Sequence, residues 1–160
     1  LFRSLSAARG DEKTVNLNGK NINVKIPAGT TDGQTLRLKG LGQPSPNGGS
    51  AGDVLITLNV DRHPYFTAEG ANILMELPIT MKEAVLGAKV TVPTITGNVI
   101  VNIPPYASSG EKLRLKGKGI KTKSTAGDEI ITLKIISPKT ANAELEKALQ
   151  TMPDEKVRSF

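Results

Sequence analysis

The chain has 160 residues, of which 38% are hydrophobic and only 3% aromatic, and it carries a formal charge of +6. A core is affordable, but it must be built from Val, Ile and Leu, which suits strands, and the charge points to an acidic partner such as nucleic acid or an acidic peptide tail. Cysteine is absent, which excludes disulfides and Cys-ligated zinc and is compatible with a reducing compartment.

In chain order, the opening "LFRSLSAARGDEK" lacks the sustained apolar stretch of a signal peptide. It begins with Leu1 rather than Met, so a fragment or a processed product is expected. No apolar run approaches the roughly 20 residues that span a bilayer. Asn18-Gly19 reads as a tight hairpin turn. After it, Ile22, Val24 and Ile26 alternate with polar residues, which places them on one buried strand face. A Pro- and Gly-bearing turn leads to "TLRLKGLG" (35–42), where Leu36 and Leu38 alternate with Arg37. "AGDVLITLNV" (51–60) follows, and then "ANILMELPIT" (71–80). Thr80 and Glu83 form a capping-box pattern before a helix of about two turns, with Gly87 closing it.

The second half then rewrites the first. "INVKIPAGTTDGQTLRLKGLG" (22–42) aligns without a gap to "VIVNIPPYASSGEKLRLKGKG" (99–119), a shift of 77 positions. "AGDVLITLNV" aligns to "AGDEIITLKI" (126–135) at a shift of 75, so the second copy has the shorter loop. Upstream, Ala7 matches Ala84 and Gly10 matches Gly87, whereas the apolar strand 71–80 has no counterpart before Leu5. Such register through three segments is a duplication, and the first copy is expected to lack its first strand. The fold expected is mainly β: two tandem β-sandwich-like units, each with a short helix, plus a C-terminal helix. In that last helix Ala141, Leu145, Ala148, Leu149 and Met152 recur at helical spacing, Thr140 or Asn142 caps the start, and Pro153 limits the end. It packs on its own unit or meets a partner.

"HPYFTAEGANILMELPITMKEAVLGAKVTVPTITGNVIVNIPPYASSGEKLRLKGKG" (63–119), with the duplicated "IPAGTTDGQTLRLKGLG", closely resembles the C-terminal substrate-binding region of Hsp40 (DnaJ-type) co-chaperones. The resemblance covers residues 4–137. It implies a first peptide-binding unit over 1–61, a hinge over 62–70, a second unit over 71–138 and a C-terminal helix and tail over 139–160 that dimerises the protein. It further implies a cytoplasmic protein that holds unfolded polypeptide and hands it to an Hsp70. The J-domain with its His-Pro-Asp tripeptide is not among these residues, since His63-Pro64 is followed by Tyr65, so no stimulation of an Hsp70 ATPase is expected. A tight Asn18-Gly19 hairpin replaces the zinc-binding insertion of one subclass, which points to the zinc-free subclass, including its DNA-associated bacterial members.

Carried over by position, the resemblance puts Val15 and Leu17 in an apolar depression of the first unit, with Ile22 and Val24 contributing from the paired strand. The missing first strand would form one wall of that depression. Lys13 and Lys20 would flank it and attract the acidic C-terminal tail of an Hsp70. Backbone pairing would supply sequence-tolerant affinity and the apolar pockets selectivity. The alternative is that Val15 and Leu17 simply face a core. "EKLRLKGKGIKTK" (111–123) holds six basic residues and one acidic. Lys116, Lys118, Lys121 and Lys123 are therefore either a solvated turn or a phosphate-contacting patch on DNA. His63 is the only histidine, too little for an ordinary zinc site. No nucleophile elbow frames it, so His63, Pro64 and Phe66 are expected to form the hinge, with Phe66 as an apolar plug. Neither an enzyme nor a bound cofactor is expected, and a purely structural dimerisation fragment is the remaining alternative.

Overall fold

The computed structural model describes residues 4–17, 19–44 and 48–159; Asn18, half of the expected hairpin turn, lies outside them. The first half runs α1 (Ser4–Arg9), β1 (Asp11–Leu17), β2 (Lys20–Ile26), β3 (Thr35–Leu38) and β4 (Val54–Thr57). The second half runs β5 (Thr67–Glu69), β6 (Asn72–Thr80), α2 (Met81–Leu86), β7 (Ala88–Thr94), β8 (Gly97–Ile103), β9 (Lys112–Leu115) and β10 (Glu129–Ile136), with α3 (Ala143–Thr151) after it. The repeat is therefore matched element by element, from α1 and α2 to β4 and β10. Among the described residues β5 and β6 belong to the second half alone. The chain is mainly β, as its alternation requires.

The repeated "LRLKG" has a structural explanation. Arg37 pairs with Asp53, and Arg114 with Asp128, each at 2.5 Å. The other carboxylate oxygen accepts the backbone N–H of Gly40 at 2.8 Å in the first copy and of Gly117 at 2.6 Å in the second. Each clasp fastens the turn after one strand to the start of the next. The Gly117 amide, with help from Arg114, holds the Asp128 carboxyl below its usual range. Because both arginines are largely exposed, each ion pair contributes about 1 kcal/mol or less, and its main effect is on register.

In the second half β5, β6, β10 and β9 form one sheet in that order, with β6 and β10 parallel. The hairpin β7–β8 packs on its inner face. Met75, Leu77 and Ile79 from β6 meet Ile131 and Leu133 from β10 and Val92, Val101 and Ile103 from the hairpin. The helix α2 opens on the expected capping box: the Thr80 hydroxyl accepts the Glu83 N–H, and the Glu83 carboxylate accepts the Thr80 N–H. Among the described residues the strands of the first half form only the hairpin β1–β2 and the pair β3–β4. Its core is small: Ala7, Ile26 and Leu58, with Leu36, Ile56 and Val60 against them. A third cluster joins the halves, with Ala8 of α1 meeting Ile73, Ile95 and Ile120. Within the expected hinge over 62–70, residues 67–69 form an edge strand on β6.

Candidate functional site

The hairpin β1–β2 pairs Lys13 with Val24, Val15 with Ile22 and Leu17 with Lys20. Antiparallel partners project to the same side, so all six residues singled out in the first unit share one face. The opposite face is polar. There the Thr14 hydroxyl donates to Asn23 at 2.8 Å and the Asn16 amide to Asn21 at 2.9 Å. Val24 is buried, while Val15, Leu17 and Ile22 are half-buried.

Beside this hairpin lies a trough of about 340 Å³, lined by Val15, Val24 and Ile26 from the hairpin, Ile56 on β4 and Leu58 just after it, and by the polar Lys13, Thr14, Thr57 and Asn59. Leu17, Ile22 and Lys20 lie nearer the hairpin turn and do not line it. Sequence reasoning missed Ile26, Ile56 and Leu58, although period two from Val24 and from Val54 pointed at each. The Lys13 ammonium sits 3.5 Å from the Asp11 carboxylate. The Glu12 backbone N–H, more than Lys13, keeps the Asp11 carboxyl below its usual range.

Among the described residues β4 pairs only with β3, whereas its counterpart β10 holds β9 on one edge and β6 on the other. An unpaired edge offers backbone donors and acceptors to an extended chain. Leu55 on β4 is 67% exposed. In the second half β6 closes the equivalent space, and Val92, which corresponds to Val15, is 0% exposed.

Between the halves, the His63 ring stacks on Phe66 at 4.5 Å and its Nδ1 accepts the Tyr65 N–H at 3.1 Å. Partial burial lowers the His63 pKa. Phe66 touches both the second core and the joint cluster, and Pro64 is exposed. Lys116, Lys121 and Lys123 are exposed and Lys118 half-buried, all beyond the end of β9. Asn142, rather than Thr140, caps α3 by accepting the Leu145 N–H at 3.0 Å. Leu145 closes one end of a groove with Val85, Leu86 and Ile136, while Leu149 and Met152 remain exposed. No described helix is long and apolar enough to cross a membrane. Among the described residues no cluster of His, Asp and Glu could hold a metal ion.

The family described as DnaJ C terminal domain matches residues 5–138. Similar relatives include a curved DNA-binding protein of Escherichia coli O9:H4, 42% identical over 135 residues. A curved DNA-binding protein of Shigella boydii serotype 18 matches at the same identity. In both, the match covers 84% of this chain but 44% of the relative, so the chain spans less than half of their length.

Proposed function

Because the chain belongs to the DnaJ C terminal domain family, we propose that it is the polypeptide-holding part of a cytoplasmic co-chaperone, acting by binding and not by catalysis. The observation that carries this reading is the trough of Val15, Val24, Ile26, Ile56 and Leu58 beside β4, which among the described residues pairs only with β3. An extended, non-native segment pairs its backbone with such an edge and seats alternate apolar side chains in the trough. Buried polypeptide of this kind is recognised by spacing and hydrophobicity rather than by sequence. The positive charge of Lys13 at the rim and of Lys20 near the turn supports contact with an acidic Hsp70 tail. The exposed apolar side of α3, with Leu149 and Met152, supports a homodimer. Two first units on one dimer raise avidity for a long client.

The test is fluorescence anisotropy of a labelled extended peptide with apolar residues at alternate positions. Binding is expected, with at least a tenfold loss in Val15→Asp, which sets a carboxylate into the trough at a half-exposed position. An acidic tail peptide is expected to weaken in Lys13→Ala and Lys20→Ala. No binding of either peptide, or equal binding by Val15→Asp, rejects the reading.

A second reading is supported by the printed name of the relatives and by the basic turn. In it Lys116, Lys118, Lys121 and Lys123 contact DNA phosphates. It predicts a duplex mobility shift that disappears with salt and in the fourfold Lys→Gln variant. Loss of peptide binding with the DNA shift intact would favour this second reading over the first.

A further inference from the structure

The inner face of the second sheet contains one ionisable residue in an otherwise apolar row. Glu129 opens β10 and is 0% exposed. Its cross-strand neighbours are Leu115 on β9 and Ile73 on β6, and the next residues inward on its own strand are Ile131 and Leu133, both buried. Neither carboxylate oxygen has a hydrogen-bond partner among the described residues. In the first half the corresponding residue is Val54, so the fold does not require a carboxyl there.

The position matters because Ile73 also belongs to the cluster joining the two halves, with Ala8 and Ile120. The backbone at this end of the sheet is tightly knotted. The Ile73 N–H donates to the Asp128 carbonyl at 2.9 Å, the Ile120 N–H to Ala71 at 2.8 Å, and the Gly127 N–H to Ile120 at 3.0 Å. A buried carboxylate without partners is costly, and a neutral carboxyl far less so. We propose that Glu129 is a proton-operated latch on the joint: protonated, it lies quietly in the apolar row and the halves dock; ionised, it loosens the knot and frees the first unit to move.

The charges around Glu129 are few. Lys118, half-buried after β9, is the one whose field favours ionisation, and burial outweighs it, so the carboxyl is pushed up to about 7. Asp128 is tied to Arg114. Glu76 on β6 is exposed and paired with Lys134 at 2.9 Å. From the first half α1 presents Ala7 and Ala8, with Arg9 exposed. On the hinge His63 is shifted down by burial. Since the folded value lies above the unfolded one of 4.5, stability is fully present below 4.5 and is lost as pH rises through 7.

Two measurements on the full chain test the latch. Carbon-13 titration of the Glu129 carboxyl by NMR is expected to give a midpoint between pH 6 and 8 (about 7); a midpoint in the ordinary carboxylate range overturns the proposal. Amide exchange of Ile73, Ile120 and Gly127, corrected for intrinsic rates, is expected to quicken roughly tenfold between pH 6 and 8. In Glu129→Gln and in Glu129→Val, the residue of the first copy, that rise should vanish. A rise that persists in either variant, or no rise in the unsubstituted chain, equally overturns it. Should a variant not fold, the titration alone decides.

Discussion

Val15 and Val92 occupy the same place in two copies of one motif, yet Val92 is wholly buried and Val15 is half exposed. The hairpins carrying them are built alike: seven residues against seven, with apolar residues alternating on one face. The difference lies in a strand. β6 covers the second hairpin with Met75, Leu77 and Ile79, and among the described residues nothing equivalent covers the first. Among the described residues the second copy is thus a closed support and the first an open trough, and β6 is the element that differs.

The sharpest way to break this comparison is at a pair of glycines. Gly127 lies against β6, and a Cβ there would stand 1.8 Å from the Ala71 carbonyl oxygen. Gly52, its counterpart, has nothing nearer than the Gln43 oxygen at 4.0 Å. Gly127→Ala is expected to cost more than about 4 kcal/mol, as a backbone collision cannot be relaxed by a rotamer, whereas Gly52→Ala should be nearly neutral. Chemical denaturation of the two variants checks this, and equal costs would mean that the first copy is covered as well.

Next in size is a pair in the sheets. Ile131→Ala empties a wholly buried position on β10 and should cost about 2–5 kcal/mol. Ile56→Ala, at the corresponding place in the trough, should cost about 1 kcal/mol, since half-buried side chains lose less transfer free energy. Thermal midpoints of both variants provide the comparison, and peptide affinity should fall only in the second. The smallest effect concerns Tyr106, the only described residue other than glycine with positive φ, at 61°. The first copy has Gly29 there, at φ 80°. Tyr106→Gly should stabilise by about 1 kcal/mol or less, the left-handed strain relieved being partly offset by glycine's unfolded-state freedom. A lowered midpoint would show instead that the exposed tyrosine ring makes a contact worth more than its strain.

Much of this was legible in the residues themselves. Two copies of "LRLKG" marked the duplication, and the Thr80–Glu83 box and Asn142 announced their helix starts because capping is local chemistry. What stayed hidden was long-range. The pairing of Arg37 with Asp53 spans a loop, and nothing in strand periodicity says which acid an arginine meets. β5, three residues long, has too few positions for an alternation to show. The trough was half found: Val15, Val24 and Lys13 line it, but Leu17, Ile22 and Lys20 stand nearer the turn, since sharing a face does not fix how far along the hairpin the opposing sheet reaches. Glu129 was passed over because it sits at the first position of an apolar strand, where a charged residue ordinarily marks the solvated end.

The central claim, that extended polypeptide is held by the open first half and not by the closed second, is tested most directly by mapping backbone amide shifts. The full chain is titrated with a peptide carrying apolar residues at alternate positions. The account predicts that the largest shifts fall on Lys13–Leu17 and on residues 54–58 along the β4 edge. Shifts centred instead on Val90–Val101 of the second hairpin, or none at saturating peptide, would contradict it.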